Sequence, residues 1–255
     1  MLGLCNGPRA GFRPAEVTVT LPSTGLVGAA PADDVLDNPV WASLTGAQSA
    51  LGQRLGGAAR FAPDVSPFAG LADPADPAFW RDLAALVDGA VALFGADAAA
   101  PPGWEVVDAI PGVQLAGPDV AGEPDDEAVV LGPADVPEML DLVARTRPGP
   151  FAPRTIAMGT YRGVRRGGAL VAMAGQRMQP PGWTEISAVC TDDAYRGQGL
   201  AARLIRAVAA DAQARGAAPF LHSAAANAGA LRLYRTLGFV PRREVTFLRV
   251  RPSAE

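Results

Sequence analysis

Residues 185–200 read EISAVCTDDAYRGQGL, and this stretch decides the fold. Its first seven residues are apolar enough for a buried strand, and an acidic turn joins them to a glycine-rich loop. We expect a helix to begin at that loop, with the amides of its first turn pointing to solvent. Unpaired amides and the positive end of the helix dipole make an anion site, and glycine lets a phosphate approach the backbone closely. The stretch therefore predicts a strand–loop–helix unit that binds phosphate.

Composition and charge narrow the function. The 255-residue chain is 49% hydrophobic and 19% charged, as expected for a soluble globular protein, and no run of about 18 apolar residues predicts a membrane span. Every basic residue is arginine, which excludes mechanisms that need a P-loop or Schiff-base lysine. Residues 1–144 hold 5 arginines against 20 acidic residues, whereas residues 145–255 hold 17 against 6. The basic half also contains the phosphate loop, which favours a polyanionic small molecule over nucleic acid as its partner.

Cysteine and histidine usage argues against a disulfide or a metal site. Cys5 lies in a predicted tail and Cys190 in a predicted buried strand, so no disulfide between them is expected. No Cys and His residues have the spacing of metal ligands, and His222 is the single histidine. The first residues lack the apolar core of a secretory signal. We therefore expect a cytoplasmic protein that uses no metal.

The chain divides into three predicted regions. Residues 1–15 are expected to be a disordered tail, and residues 16–120 an N-terminal α/β domain of unknown role. Residues 116–126, rich in glycine, proline and acids, are the candidate linker to a second domain, 125–255. Within the first domain we predict helices over 38–55 and 77–87, a strand over 90–94 and an extended segment over 104–115.

The second domain has a clearer order of elements. Its apolar spacing predicts β-α-β-β-β-α-β-α-β, with helices over 133–146, 199–215 and 227–237. The strands are expected over 127–131, 156–164, 169–177, 183–191, 218–222 and 244–250.

Two motifs in this order resemble those of a known family. The first is Arg196-x-x-Gly199-x-Ala201, in which Ala201 stands where many members have glycine. The second is Asn227…Ala230…Tyr234…Gly238-Phe239. Together they make residues 125–250 similar to the GNAT superfamily of acyl-CoA-dependent N-acyltransferases, and within it to the group with the C-terminal domain of glycine N-acyltransferase-like proteins. The resemblance implies an α+β fold of three-layer α/β/α type, with a mixed, largely antiparallel, splayed sheet and flanking helices. A degenerate copy of this fold is one interpretation of the first domain.

The resemblance also implies that acetyl-CoA is the acyl donor. Its pyrophosphate would bind the loop amides, and its pantetheine arm would pair with the free edge of the middle strand. The candidate cofactor-binding residues are Ala188, Val189, Cys190, Thr191, Arg196, Gly197, Gln198, Gly199, Leu200, Ala201 and Asn227. Ordinary sheet pairing of the strand and helix N-capping by Asn227 are the alternatives. By position alone, Arg203 and Arg232 join Arg196 as candidates to balance the phosphate charge.

Two residues are catalytic candidates for proton transfer. Tyr234 falls on the family's tyrosine position and would protonate the departing CoA thiolate. Glu185 stands 11 residues before Arg196, the spacing at which histone-acetylating members carry a base, and burial would raise its pKa toward neutrality. Strand alternation would place Glu185, Ser187 and Val189 on one face. Core packing of Tyr234, a paired or solvated Glu185, and water as the base are the alternatives.

Several other residues have simpler interpretations. A nucleophilic Cys190 needs a nearby base, whereas a buried thiol is usually inert. His222 is expected to be a hydrogen-bonded core residue rather than a base, and Trp183 and Tyr161 are expected to pack in the core. Surface solvation is the expectation for Arg162, Arg165, Arg166 and Arg177.

The sequence therefore predicts an N-acetyltransferase that moves an acetyl group from acetyl-CoA to a primary amine by direct attack in a ternary complex. A strand amide near Val189 would stabilise the oxyanion. The acceptor is an unidentified small amine, amino acid or peptide. Neither nucleic acid nor membrane is an expected partner, and a homodimer is left open. The alternative from another class is a non-catalytic acyl-CoA-binding sensor or interaction protein.

Overall fold

A mixed, largely antiparallel sheet of eight strands forms the centre of the molecule. The computed structural model describes residue 32 and the ranges 34–95 and 100–253, so the predicted tail over 1–15 lies outside the described residues. The strand order across the sheet is β4 (Val91–Gly95), β11 (Val240–Pro252), β5 (Trp104–Ala116), β10 (Ala218–Ala224), β9 (Trp183–Thr191), β8 (Ala169–Gln176), β7 (Tyr161–Arg166) and β6 (Val129–Leu131). The predicted α+β fold with a largely antiparallel sheet is confirmed.

The parallel pair β9 and β10 separates soon after it forms. The two strands pair from Trp183 and Ala218 as far as Glu185 and Phe220. β9 then continues to Thr191 with no partner on this side, while β10 continues along β5. We call this opening the fork, and Glu185 and Phe220 its apex. The splayed sheet that the sequence predicts is therefore confirmed at the strand that carries the opening motif.

A bulge interrupts β9 just beyond the apex of the fork. Ala188 and Val189 together face the single residue Ala174 of β8, so β9 contains one extra residue at this point. Ala188 takes a left-handed backbone conformation, with φ of 52°, which is uncommon for a residue other than glycine. Bulges of this kind change the direction in which nearby backbone and side-chain groups point.

The bulge also corrects the predicted faces of β9. Ile186 and Val189 pack in one hydrophobic cluster, whereas Ala188 and Cys190 pack in another. Strict alternation would have separated Ile186 from Val189 and placed Val189 on the face of Glu185. That prediction is wrong because one inserted residue moves every following side chain to the opposite face.

Three helices cover the sheet where the sequence predicts them. α3 (Val136–Thr146) packs against β8 and β9, and its predicted first turn, Pro133–Asp135, is a 3-10 turn. α4 (Leu200–Gln213) lies across β7 to β10 and buries Leu204, Ile205 and Val208. α5 (Ala228–Thr236) contributes Leu231 and Tyr234 to the same cluster as α4. α4 and α5 therefore sit on one face of the fork.

The first region differs from its prediction. The helix expected over 38–55 is wrong beyond α1 (Pro39–Leu44), because the chain turns and enters β1 (Gly52–Leu55). β1 forms a small sheet with β2 (Ala58–Phe61) and β3 (Ala69–Leu71), which the sequence did not reveal. A side chain at Gly52 would come within 2.1 Å of the Arg60 carbonyl oxygen, so close strand pairing decides this segment. The helix predicted over 77–87 is confirmed as α2 (Pro77–Leu86).

The central sheet continues across the predicted domain boundary. β4 and β5 precede that boundary, yet β4 pairs with β11, and β5 lies between β10 and β11. Residues 117–128, which we call the strap, contain most of the predicted linker and lie along α4. The Glu123 amide donates to the Arg206 carbonyl at 3.1 Å, and Gln213 Nε2 donates to the Val120 carbonyl at 2.6 Å. The division into two domains at 120–125 stays a prediction.

Candidate active site

The loop before α4 has the backbone that close approach of a ligand requires. Gly197 and Gly199 have φ values of 78° and 75°, and Gly199 is the residue that precedes the first turn of α4. A Cβ built on either glycine would meet no atom of the described protein within 4 Å. The glycines are therefore required by the left-handed backbone, and the space beside them is open to a ligand.

Five consecutive amides at this loop are unpaired. In the described part of the chain, no protein group accepts a hydrogen bond from the amides of Gly197, Gln198, Gly199, Leu200 and Ala201. They lie at the N-terminus of a 14-residue helix, where the helix dipole favours a negative charge. The Arg196 amide differs, since it points to the Asp193 carbonyl at 3.4 Å, and the Arg196 side chain forms an exposed ion pair with Asp193 at 2.7 Å.

The edge of β9 that faces the fork is also free. Past Glu185 this strand pairs with β8 on one side and with no described strand on the other. Ala188, Val189, Cys190 and Thr191 therefore line the fork with their backbone, and ordinary sheet pairing applies only to the β8 side. Such an edge offers the hydrogen-bonding groups with which an extended ligand can pair as another strand would.

The side chain of Cys190 does not enter the fork. It packs beneath α3 with Met139, Leu142 and Ala188. Burial raises the pKa of the Cys190 thiol to about 11, with smaller opposing effects from Thr146 and from the backbone. The thiol therefore stays protonated near neutral pH, which agrees with the inert role expected for it.

Tyr234 lies on α5, on the face of the sheet that α4 also covers. Its ring packs edge-on against Phe239 at 6.2 Å, and Val189 packs against the same cluster. The residue is 8% exposed, and its hydroxyl is not among the fully buried polar atoms without a partner in the described ranges. Burial raises the pKa of the phenol to about 12, so it holds its proton at neutral pH. Tyr234 is therefore a core residue that shares a hydrophobic cluster with Val189 of the bulge, and its role in proton transfer stays a prediction.

Asn227 has the capping role that the sequence offered as an alternative. It precedes the first turn of α5, and its Oδ1 accepts a hydrogen bond from the Ala230 amide at 3.1 Å. The residue is exposed, so its Nδ2 remains accessible from solvent. A contact between Asn227 and a ligand stays a prediction.

Glu185 is placed differently from what the sequence predicts. Its side chain is fully buried, and the Arg177 guanidinium forms a two-pronged ion pair with its carboxylate, with both N···O distances at 2.6 Å. His222 Nδ1 lies 2.7 Å from Oε1 of the same carboxylate. Burial alone would raise the pKa of Glu185, but Arg177 and His222 outweigh it and lower the pKa to about 2. The expected rise toward neutrality is therefore wrong, as is surface solvation of Arg177.

His222 lies in the core, as expected. Its imidazole stacks on Phe94 with the ring centroids 4.6 Å apart, and its side chain is 1% exposed. Burial lowers the pKa of His222 because it removes water from the charged form, and this outweighs the opposing effect of Glu185. The sequence did not reveal the other neighbour of this ring, Gln114, whose Nε2 lies 3.1 Å from His222 Nε2. No local motif marks a glutamine 108 residues away.

Two arginines proposed to balance phosphate charge have different surroundings. Arg203 forms a two-pronged ion pair with Asp125 of the strap at 2.7 and 2.8 Å, and it also contacts Glu127 at 2.8 Å. Its charge is therefore already balanced by the strap. Arg232 is exposed on α5 and makes no ion pair with any described residue. Of the two, Arg232 retains an unbalanced charge.

The described residues contain neither a cluster of metal ligands nor a membrane-spanning helix. Across 34–95 and 100–253, no three His, Cys, Asp or Glu residues come close enough together to hold a metal ion. None of the helices in these ranges has the length and apolar character needed to cross a membrane.

Comparisons with known proteins agree with this geometry. A family model described as "FR47-like protein" matches residues 161–248, which include the fork, the loop and α5. A crystal structure of a putative acetyltransferase from the GNAT family of Novosphingobium aromaticivorans is 44% identical. The match covers 86% of this chain and 99% of that chain, with a TM-score of 0.79.

Two further comparisons concern a shorter segment of the chain and the fold. The N-alpha-acetyltransferase RimI of Mycobacterium tuberculosis is 40% identical over 82 residues, which are 31% of this chain. The match spans about half the length of that curated relative, 51%. A GCN5-related N-acetyltransferase from Kribbella flavida is 21% identical over 85% of this chain and 96% of its own, with a TM-score of 0.51, and this likeness concerns the fold alone.

Proposed function

This chain belongs to the GNAT family of N-acetyltransferases, and on that premise we propose that it transfers an acetyl group from acetyl-CoA to a primary amine by direct attack in a ternary complex. The observation that carries the proposal is the row of five unpaired amides at the start of α4, next to the free edge of β9. One feature suits a pyrophosphate, and the other suits the extended amide-containing arm to which it is attached.

The bulge in β9 supports a role in stabilising the transition state. When the amine nitrogen attacks the thioester carbon, negative charge develops on the carbonyl oxygen. An amide near Val189 that the bulge turns into the fork would donate a hydrogen bond to this oxygen. The tetrahedral carbon then collapses, the C–S bond breaks and the acetyl group remains on nitrogen.

Tyr234 is the proton donor in this scheme. Its phenol has a pKa of about 12, well above that of a thiol, so it would not protonate a fully formed thiolate to completion. The proton therefore moves as the C–S bond breaks and charge builds on sulfur. The hydroxyl is then reprotonated from solvent.

We assign the removal of the amine proton to water rather than to Glu185. The Glu185 carboxylate is 0% exposed and is held by Arg177 and His222, and its low pKa makes it a poor base. Water was the remaining alternative, and a water molecule in the fork requires no side chain to leave the core.

The acceptor is the least defined part of the proposal. We propose a small amine, amino acid or peptide; the name of the mycobacterial relative supports an α-amino group. The grouping with glycine N-acyltransferase-like proteins is likewise a proposal, which rests on the run from Asn227 to Phe239. A cytoplasmic location and a homodimer remain predictions.

A matched pair of glycine variants tests donor binding. Gly199 and Gly216 lie at opposite ends of α4, both have φ of 75°, and a Cβ on either meets no protein atom within 4 Å. Gly199→Ala and Gly216→Ala should therefore cost similar stability, about 1 kcal/mol. Gly199→Ala alone puts a methyl group where the pyrophosphate would lie, and should weaken CoA binding by at least about tenfold in calorimetry, the order expected for a misplaced contact.

The outcomes separate the proposed function from its alternative. Equal Kd values for CoA in Gly199→Ala and Gly216→Ala would contradict donor binding at this loop. Wild-type protein that binds acetyl-CoA tightly, yet releases no thiol with any amine of a broad panel, would favour the non-catalytic sensor.

A further inference from the structure

A continuous line of buried polar side chains crosses the sheet at the apex of the fork. It begins at Arg177, which follows β8, and passes through Glu185 of β9 and His222 of β10. It then reaches Gln114 of β5, whose Oε1 accepts from Arg242 Nη1 of β11 at 2.9 Å. We call this set the apex line. Neither the family relationship nor the phosphate loop assigns it a role.

The hydrogen bonds of the apex line determine which ring nitrogen of His222 carries the proton. Gln114 Oε1 accepts from Arg242, and Gln114 Nε2 donates to the Leu36 carbonyl at 2.8 Å, so the orientation of this amide is fixed. Its Nε2 therefore donates to His222 Nε2, which must be the unprotonated nitrogen. The proton then sits on Nδ1 and is donated to Glu185 Oε1 at 2.7 Å.

The bond between His222 and Glu185 spans the two strands that diverge. Glu185 is the last β9 residue that pairs with β10, and its partner in register is Phe220. His222 lies two residues further along β10, past the last backbone pair. This side-chain bond is therefore the first connection between the strands beyond their backbone pairing, and it bridges the fork where it begins to open.

Both ends of that bond are anchored to other elements. On the β9 side, the guanidinium of Arg177 holds the carboxylate and lies 4.7 Å from the centre of the Phe68 ring. Gln48 in turn binds the Arg177 carbonyl through its Nε2 at 2.6 Å. On the β10 side, Gln114 is fixed as described above. If either strand moved outward at the apex, a buried hydrogen bond would break, which is costly because a buried polar group would then be left unpaired.

We infer that Glu185 and His222 are positioning residues that set the width of the fork, and thereby the affinity for the acyl-CoA donor. The inference rests on the proposed function, because the fork is taken to be the donor site. The two residues do not contact the reacting atoms in this role. They hold β9 and β10 at the separation that lets a pantetheine arm lie between them, and this preorganisation favours binding.

The test compares two substitutions of the histidine. His222→Asn keeps a short amide that can donate to Glu185 from the position of Nδ1, and should retain the wild-type Kd for CoA. His222→Leu removes that donor. It should raise the Kd for CoA by about tenfold, because the two strands of the fork must then be ordered when CoA binds. Kd is measured by calorimetry at a temperature where circular dichroism shows every variant folded, and melting temperatures are recorded in parallel.

Phe61→Leu is the matched control for a general loss of stability. Phe61 is fully buried in the same hydrophobic cluster as Phe220, but it lies on β2 and belongs to neither strand of the fork nor to the apex line. It should lower the melting temperature while the Kd for CoA stays at the wild-type value. If His222→Leu does not fold, His222→Gln replaces it, since its longer amide reaches toward Gln114 rather than Glu185.

The results distinguish this inference from the proposed function. Tight CoA binding by the wild-type protein with equal Kd values in His222→Asn and His222→Leu, or with Phe61→Leu as weak as His222→Leu, overturns the positioning role and leaves the proposed function intact. Absence of CoA binding by the wild-type protein overturns both. A rise in Kd confined to the variants that lose the bond to Glu185 supports the inference.

Discussion

At the scale of single residues, the hydroxyl of Tyr234 is the group on which proposed turnover depends. The ring is anchored by packing against Phe239 and the α4 cluster, so loss of the hydroxyl need not disturb the helix. The side chain is mostly buried, but its hydroxyl is not among the fully buried unpaired polar atoms, so a ligand atom can reach the hydroxyl and accept its proton. A variant that lacks only the Tyr234 hydroxyl can therefore separate an effect on proton transfer from an effect on CoA binding.

Tyr234→Phe should lower kcat by about a hundredfold, the usual contribution of a general acid, with the Kd for CoA changed less than about twofold. Thiol release and calorimetry measure the two quantities. Tyr161→Phe is the control, because the Tyr161 hydroxyl is buried without a partner in a different cluster. A Tyr234→Phe enzyme with the wild-type kcat would contradict the role as general acid.

His222 makes a prediction for the effect of pH on stability. Its pKa is lowered in the folded protein, whereas in the unfolded chain it has an ordinary value of about 6.5. Between these values the unfolded chain binds more protons, so the stabilisation is fully present above about pH 6.5 and is lost as pH falls below it. For one proton, the free energy of unfolding changes by at most about 1.4 kcal/mol per pH unit.

Because His222 is the only histidine of the chain, this slope can be assigned to it. Urea unfolding between pH 8 and 5.5 should show stability falling toward the acidic end, and His222→Asn should remove most of the decline. Glu185, with a pKa of about 2, contributes in a separate window, below its ordinary value of about 4.3. Identical slopes for the wild type and His222→Asn would show that the imidazole titrates normally.

At the scale of elements, α4 combines a free N-terminus with a side that the strap covers. The strap contributes backbone hydrogen bonds at Val120 and Glu123, and an ion pair through Asp125. Arg203 faces the strap, and Arg232 on α5 has no described ion-pair partner. Of these two arginines, Arg203 therefore helps to hold the strap on α4, whereas Arg232 makes no ion pair with a described residue.

We expect Arg203→Met to lower the free energy of unfolding by about 1 kcal/mol or less, because solvent screens this partly exposed pair, and to leave the Kd for CoA unchanged. Arg232→Met should leave stability unchanged, raise the Kd for CoA about threefold and reduce its dependence on salt, as loss of one screened charge contact predicts. Denaturation and calorimetry at two ionic strengths measure both effects. The reverse pattern would reassign phosphate binding to Arg203.

At the scale of the whole molecule, the eight-stranded sheet joins the two predicted domains. β5 pairs along β11 and β10, and β4 covers the outer edge of β11. The long exposed edges that would remain without β5 carry unpaired backbone groups, which promote aggregation. The segment before the strap is therefore part of the surroundings of the fork.

A chain of residues 121–255 should consequently fail to fold as a soluble monomer, although the family motifs all lie within it. Size-exclusion chromatography and circular dichroism of this fragment, with residues 32–255 as the control, measure the outcome. A fragment that is monomeric, melts cooperatively and binds CoA would instead support the two-domain division predicted at 120–125.

Local sequence was enough to predict the strand–loop–helix unit, the need for glycine in its loop and the order of elements from β6 to β11. These features depend on adjacent residues: a glycine at φ near 75° or a helix N-terminus needs no distant partner. The bulge at Ala188 escaped prediction because it is defined by register against β8. The environment of Glu185 escaped because His222 lies 37 residues away in sequence.

Tertiary structure alone decided which charges are balanced and which strands close the sheet. The sequence by itself determined the glycine loop at the start of α4 and the place of Tyr234 on α5, because both belong to contiguous motifs. Only folding brought Arg177 and His222 together on one carboxylate, and these partners reversed the sign of the expected pKa shift of Glu185. Burial makes the charge costly, but partners that arrive from other strands decide whether the carboxylate keeps its proton.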